Sequence, residues 1–136
     1  MSYSTRTEAL VGAGKVVCDA KFSVGTEDTN VIPVVVTLYD FNGEVLSDSV
    51  MLEVFMSADS TGTNAYTVDA TTSSLAITSG GKGTYYGDVV GTTSIGWVKT
   101  EDGQISLDVT DTNTESIWLN IKSQNGQIFD QILTFA

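Results

Sequence analysis

The sequence contains no histidine, one cysteine, one proline and only six basic residues among its 136. Without histidine, the Ser–His and Cys–His arrangements of nucleophilic catalysis are excluded, and a zinc site would have at most one soft ligand. A single cysteine cannot form an internal disulfide, so packing and hydrogen bonds must hold the fold. We therefore assign no catalytic, cofactor-binding or metal-binding residues and expect the protein not to be an enzyme.

Acidic residues greatly outnumber basic ones. Seventeen aspartates and glutamates give a formal net charge of -11 and a pI near 4.1. Proteins that bind nucleic acids or anionic membranes attract phosphates with positive charge, so we expect this chain to bind neither. The same charge favours solubility.

Long apolar runs are also lacking. The longest, VIPVVV at residues 31–36, has the length of a strand and not of a membrane helix. The first ten residues, MSYSTRTEAL, do not follow the basic, apolar and small-residue order of a signal peptide. We expect one domain, made in a cytoplasm and not exported by the usual route.

Apolar residues recur with a period of two, which is typical of strands with one buried face. Glycine, serine and threonine occur too often for long helices. The alternation is clearest in QISLDVT, SIWLNIK and FDQILTF, where the predicted inward residues are Ile105, Leu107, Val109, Ile117, Leu119, Ile121, Phe129, Leu133 and Phe135. The sequence therefore predicts an all-β protein.

Three dipeptides typical of tight turns separate the strand-like runs. They are Asn42-Gly43, Asp102-Gly103 and Asn125-Gly126. Asparagine, aspartate and glycine accept the positive φ that both central positions of a type I′ turn require, so we predict hairpins at all three. Each hairpin would join consecutive strands of one sheet.

The strands are too many and too short for one sheet, so we predict a two-sheet antiparallel β-sandwich over residues 14–136. Residues 57–63 and 79–83 are expected to be loops, and residues 1–13 a poorly structured N-terminal arm that orders only against a partner. The predicted strands lie near 14–23, 31–40, 44–56, 64–69, 74–78, 84–90, 95–100, 104–110, 116–122 and 127–135.

One stretch, AITSGGKGT at residues 76–84, resembles the start of a phosphate-binding loop because Gly81-Lys82 follow four spacers. That loop requires serine or threonine directly after the lysine and then a helix. Here Gly83 follows Lys82, and TYYGDVV is typical of a strand. We interpret the stretch as a flexible hairpin tip.

Two acidic segments are candidates for calcium. Asp108, Asp111, Asn113 and Glu115 alternate in DVTDTNTES, and Glu27-Asp28 lie in GTEDTN. Solvated turns are the favoured interpretation, because no EF-hand glycine is present, and a calcium site between strands is the alternative. Cys18, in KVVCDAKF, is predicted to be a small buried apolar residue.

The aromatic residues offer a contact surface. Trp97, Trp118, Tyr85 and Tyr86 would form a sugar-stacking or protein-binding patch if they lay together. Trp118 falls on the strand face opposite Ile117. Partial cover by a neighbouring loop and contact with a partner are both open for Trp118.

The turn-and-strand pattern resembles bacterial immunoglobulin-like domains of the invasin and intimin type. More closely, it resembles small immunoglobulin-like virion proteins of tailed bacteriophages. The matching segments are DFNGEVL at 40–46, MSADSTG at 56–62, TEDGQISLDVT at 100–110 and the ending ILTFA at 132–136. The resemblance covers residues 31–136. Leu133 stands where such proteins have isoleucine, and Glu101 alters the spacing before Gly103.

The resemblance implies an immunoglobulin-like sandwich that is a structural part of a virion. We expect a capsid decoration or cement protein on the capsid exterior, present in the host cytoplasm during assembly. Its implied partner is the major capsid protein of the same virion, with self-association on the shell. One alternative is a tail or fibre module that binds host surface glycans. Another is a calcium-stapled ornament of the tail tube.

Overall fold

The computed structural model describes residues 16–59, 73–88 and 95–136, and within these ranges the chain forms nine strands and no helix. No helix of this part is long and apolar enough to cross a membrane. The strands are β1 (Asp19–Val24), β2 (Val31–Tyr39), β3 (Met51–Ser57), β4 (Ser73–Ile77), β5 (Thr84–Asp88), β6 (Ile95–Lys99), β7 (Gln104–Asp111), β8 (Ser116–Lys122) and β9 (Ile128–Thr134).

The strands form two antiparallel sheets, so the predicted all-β, two-sheet sandwich is confirmed. The four-stranded sheet has the order β1-β2-β7-β4, and the five-stranded sheet has the order β5-β6-β3-β8-β9. Pairs such as Val36 with Ile105 and Val54 with Ile121 fix the register. Each sheet turns one apolar face towards the other, which buries the core between them.

The inward residues that the alternation predicts lie in or against the core, together with apolar residues of the other strands. Ile105, Leu107 and Val109 are buried from β7, and Ile117, Leu119 and Ile121 from β8. Leu133 and Phe135 are buried as well, and Phe129 packs partly buried against the same cluster. The period-two prediction is therefore confirmed in all three segments.

The strand order within the sheets matches that of the immunoglobulin fold, but the order in which the chain forms β4, β5 and β6 differs. With β1 taken as strand A, the four-stranded sheet has the A-B-E-D order, and β9-β8-β3 have the G-F-C order. Strands β6 and β5 extend the second sheet, as C′ and C″ do in variable domains. In variable domains the chain forms C′ and C″ before D, whereas here β4 in the D position precedes both.

Asp102-Gly103 forms the predicted type I′ turn, with φ values of 54° and 72°. Glu101 and Gln104 exchange both backbone hydrogen bonds across it, at 3.1 and 3.0 Å. The predicted hairpin is wrong, however, because β6 belongs to the five-stranded sheet and β7 to the four-stranded one. The turn carries the chain from one layer to the other.

Asn42-Gly43 also turns the chain without forming a hairpin between β2 and β3, which lie in different sheets. Only Gly43 has positive φ, at 77°, so the turn is not type I′. One bridge joins Tyr39 to Val45, and β3 begins only at Met51. The predicted strand 44–56 is therefore too long at its start, because residues 44–50 cross between the layers.

The third predicted hairpin, at Asn125-Gly126, is confirmed. It joins β8 to β9 in one sheet, with Ser123 donating its backbone N–H to Gln127 at 2.9 Å. Only Gly126 has positive φ, at 87°, so the predicted type I′ geometry is wrong here. The bond of 3.0 Å from Gly126 N–H to the Ser123 carbonyl fits a tight turn that ends in a left-handed glycine.

The remaining predictions differ at their boundaries. Among the described residues the first strand begins at Asp19 and ends at Val24, and Ser57, predicted as loop, ends β3. The fifth strand ends at Asp88 among the described residues. The predicted strand 64–69 and the predicted arm at 1–13 lie outside the described residues.

The turn favoured for GTEDTN connects β1 and β2, although its type was not predicted. Asp28 and Val31 exchange backbone hydrogen bonds of 2.8 and 3.1 Å around Thr29 and Asn30, whose φ values are 52° and 67°. This is the conformation of a type I′ turn, and threonine, being β-branched, adopts it at a cost in energy. Thr29 is a strained position.

We predict that Thr29→Asn stabilises the protein by about 0.5–1 kcal/mol, because asparagine tolerates the left-handed conformation. Urea unfolding followed by tryptophan fluorescence measures the change. Thr112→Asn is the control, since Thr112 is exposed and has negative φ. Equal effects of the two substitutions would contradict strain at Thr29.

Candidate functional site

The loop that resembles a phosphate-binding loop connects two sheets and serves the fold. It runs from β4 in the four-stranded sheet to β5 in the five-stranded sheet, so a strand follows it, and the predicted hairpin tip is wrong. Lys82 forms an ion pair of 2.8 Å with Asp102, and this hydrogen bond raises the pKa of the lysine. Lys82 therefore joins two turns at one end of the sandwich.

The acidic residues at 108–115 make the hydrogen bonds of a strand end and a turn. Asp108 accepts a hydrogen bond of 2.7 Å from the Thr78 hydroxyl. Asp111 is buried and accepts one of 2.9 Å from the Asn113 backbone N–H, as aspartate does in turns. Within the described ranges, no group of three or more such side chains is placed to hold a metal ion.

The Glu27 and Asp28 carboxylates also accept hydrogen bonds from other residues of the chain. The Glu27 carboxylate accepts a hydrogen bond of 2.8 Å from the Ala136 backbone N–H, which fastens the last described residue to the β1–β2 connection. The Asp28 carboxylate accepts one of 3.1 Å from the Thr29 hydroxyl. These contacts agree with the turn interpretation of this segment.

Cys18 is exposed, so the prediction of a buried residue is wrong. Its neighbour Val17 takes the inward position and is buried, and alternation then turns Cys18 outward. The Cys18 backbone N–H donates to the Tyr39 carbonyl at 2.9 Å, which fixes this register. An apolar stretch alone did not reveal which residues faced the core.

The four aromatic residues divide into an exposed pair, a half-buried residue and an inward one. Tyr86 and Trp97 lie directly opposite each other on β5 and β6, and they are 47% and 46% exposed. Trp118 lies on the same outer face but opposite Ser57, and it is half-buried. Tyr85 packs against the core. The predicted patch therefore reduces to Tyr86 and Trp97.

A groove of about 610 Å³ lies beside Trp97 on the outer face of the five-stranded sheet. Across the sheet, Glu53 lies opposite Trp97, and Lys122 lies opposite Glu53. The β8–β9 turn closes one end with Gln124 and Asn125. We call this the Trp97 groove. It combines an exposed aromatic ring with a carboxylate, an ammonium group and two amides.

Sequence reasoning missed these polar partners. Alternation with Leu52 and Val54 places Glu53 outward, a signal that was available. The pairing of β3 with both β6 and β8 joins distant segments, and no local pattern indicates it. The groove depends on that pairing.

Two fully buried polar side chains lie on the same outer face. Asn120 donates from its side-chain amide to the Ser57 hydroxyl at 2.8 Å, and both residues are 0% exposed. The Asn120 side-chain oxygen has no hydrogen-bond partner among the described atoms. On the adjacent strand, burial raises the pKa of Asp130, which pairs in register with Asn120. The middle of this face is thus partly shielded from water.

One end of the sandwich carries two exposed apolar side chains among carboxylates. Phe41 and Val45 are 52% and 47% exposed. The Asp40 carboxylate holds their turn by accepting hydrogen bonds from the backbone N–H groups of Asn42 and Glu44, at 2.9 and 3.1 Å. Phe41 and Val45, which we call the apolar anchors, therefore lie on an ordered turn.

The turn at 101–103 lies beside it and adds further charge. Leu38 connects the two turns: its N–H donates to the Gly103 carbonyl, and its carbonyl accepts from Leu46, both at 2.9 Å. Glu101 and Asp102 are exposed. We call residues 40–46 and 101–103 the acidic tip. Its arrangement suits contact with a basic surface that has an apolar recess.

Comparison with family models, curated proteins and solved structures finds no match for this chain. The candidate surfaces are consequently defined by geometry and charge alone. They are the Trp97 groove and the acidic tip.

Proposed function

We propose that this protein is a non-enzymatic structural protein of a bacteriophage particle, a decoration protein that binds the outside of the capsid and stabilises it. Its partner is then the major capsid protein, and its place is the virion exterior after assembly in the host cytoplasm. The observation that carries the proposal is the acidic tip, where two apolar anchors on ordered turns are surrounded by carboxylates.

The anchors supply the contact energy of such an interface. Aromatic residues that fill a pocket at the centre of an interface contribute most of the binding free energy. Phe41 fits this role because its turn is held by Asp40, so little conformational freedom is lost on binding. Val45 extends the apolar area beside it.

The carboxylates orient the protein towards a basic surface. Copies that each carry -11 repel one another, so dense binding to a shell requires basic patches beneath them. Glu44 and Glu101 lie at the end that would meet such patches, beside Asp102, which is paired with Lys82. Many modest contacts across capsomer joints would then add to the resistance of the shell to internal pressure.

We predict that Phe41→Ala or Val45→Ala weakens binding to purified capsids that lack the protein by about tenfold or more. Co-sedimentation measures binding, and the melting temperature of the particles measures their stabilisation. Val24→Ala is the matched control, since Val24 is 43% exposed and lies outside the acidic tip. We expect binding to weaken as salt concentration rises.

Two results would count against the proposal. Capsids that bind no protein at low salt would remove the decoration function altogether. Binding that is equally weakened by all three substitutions would place the contact away from the acidic tip.

A second candidate is an adhesion module on a tail or fibre that binds host glycans. The exposed pair of Tyr86 and Trp97 favours it, because large aromatic rings left open to water mark binding surfaces when polar groups lie beside them. Binding of the labelled protein to bacterial cells tests this candidate.

A further inference from the structure

We infer that the Trp97 groove is a saccharide-binding site and that its ligand is a short neutral oligosaccharide. The inference rests on the adhesion function, the second of the two proposed above, and assigns it a location and a ligand class. Five side chains define the site, namely Trp97, Glu53, Lys122, Gln124 and Asn125.

The aromatic floor fits the apolar face of a sugar ring. A pyranose has C–H groups on one face and hydroxyls around its edge, so it packs its apolar face on an aromatic ring and leaves its edge for hydrogen bonds. Trp97 and Tyr86 are in direct cross-strand register, which separates their Cβ atoms by only about 5 Å. Tyr86 does not line the groove, so it could contact only a sugar unit that extends past Trp97.

The polar wall supplies donors and acceptors for hydroxyls. Glu53 accepts, and Lys122 donates. They lie opposite each other on β3 and β8, yet no ion pair joins them among the described residues. Asn125 lines the groove, and its side-chain oxygen accepts from Ser123 and Gln127, which leaves its NH₂ group available as a donor. Mixed donors and acceptors beside an aromatic ring suit a ligand with many hydroxyls.

Charge argues against anionic sugars and nucleic acids as ligands, and topology argues against a peptide that adds as a strand. One carboxylate and one ammonium group balance within the groove, while the net charge of -11 repels anionic sugars and nucleic acids. The groove crosses β6, β3 and β8, which are interior strands with both edges paired. A peptide therefore cannot add to it as a strand. The volume of about 610 Å³ lies within the range of small-ligand sites.

The test uses nuclear magnetic resonance of the full ¹⁵N-labelled chain. The chain has only two tryptophans, so each indole N–H gives its own signal. The probes are lactose, cellobiose, maltose and N,N′-diacetylchitobiose, with 3′-sialyllactose as the charged partner of lactose. We expect at least one neutral probe to shift the Trp97 signal, with a dissociation constant on the order of 1 mM and little change at Trp118.

Variants then assign the contacts. Trp97→Ala should abolish the response in the remaining backbone signals of the groove, and Glu53→Gln or Lys122→Met should weaken binding by roughly tenfold. Ile132→Ala is the matched control, because Ile132 is 42% exposed on the same face but lies outside the groove. It should bind as the unmodified protein does.

Three results would overturn the inference. They are an unchanged Trp97 signal at about 50 mM of every neutral probe, fifty times the expected dissociation constant; a response to 3′-sialyllactose alone; and a response that survives Trp97→Ala. Cell binding measured in parallel distinguishes failure of the adhesion function from failure of the saccharide site. Adhesion that persists in Trp97→Ala would retain the adhesion function and remove this site, whereas absent adhesion with sugar binding intact would do the reverse.

Discussion

Gly103→Ala is expected to destabilise the protein by about 3 kcal/mol or more. Gly103 has a φ of 72°, where an alanine costs roughly 1–2 kcal/mol. A Cβ atom at this position would also lie 2.5 Å from Val45 Cγ1 and 2.7 Å from the Leu46 carbonyl oxygen. The second contact is with backbone, which cannot move aside without displacing the acidic tip. The two costs therefore add.

Gly43→Ala provides the control for this prediction. Gly43 has a similar φ of 77°, but nothing lies within 4 Å of an added Cβ. We expect a loss of only about 1 kcal/mol, from backbone conformation alone. Guanidinium unfolding of both variants measures the difference. Equal losses would show that the turns at 40–46 and 101–103 are not packed together as described.

Phe135→Ala is expected to cost about 3–5 kcal/mol, the range for removing a large side chain from a packed core. Phe135 is 1% exposed and follows β9, where its backbone N–H donates to the Glu115 carbonyl at 2.8 Å. The side chain belongs to the buried core between the sheets. Its loss leaves a cavity that neighbouring strands, held by their own hydrogen bonds, cannot fill.

Phe41→Ala is the control for Phe135→Ala, because it removes the same side chain from an exposed position. Phe41 is 52% exposed, so Phe41→Ala should change the free energy of unfolding by less than about 0.5 kcal/mol. Thermal and chemical unfolding of both variants gives the comparison. A large loss at Phe41, or a small one at Phe135, would contradict the placement of the core. The Phe41 result also shows whether that variant is folded in the capsid-binding experiment.

Local patterns in the sequence were sufficient to predict the fold class and the inward residues of the last three alternating segments, but not those of the stretch around Cys18. Ile117, Leu119 and Ile121 are all buried in the structure, because one face of their sheet packs in the core. The turn dipeptides also marked the correct places. A turn reverses the chain whether the next strand joins the same sheet or the opposite one, so two of the three predicted hairpins were wrong.

The pairing of distant strands could not be predicted, and the candidate site depends on it. Trp97, Glu53 and Lys122 come from β6, β3 and β8, which meet only because the chain leaves the sheet and returns. Asn120 illustrates the same limit, since it faces away from the core and is nevertheless fully buried. Its surroundings arise from tertiary packing and not from strand period.

The four outermost strands have a consequence for a protein that would be crowded at high local concentration. Unpaired strand edges invite polymerisation between copies. Within the described residues β4 and β5 span five residues each, β5 is interrupted by a bulge after Tyr86, and β1 and β9 carry Lys21 and Asp130. Edge strands that are short, bulged or charged pair poorly with a strand of another molecule. Neighbouring molecules can therefore stand close together without fusing into fibrils.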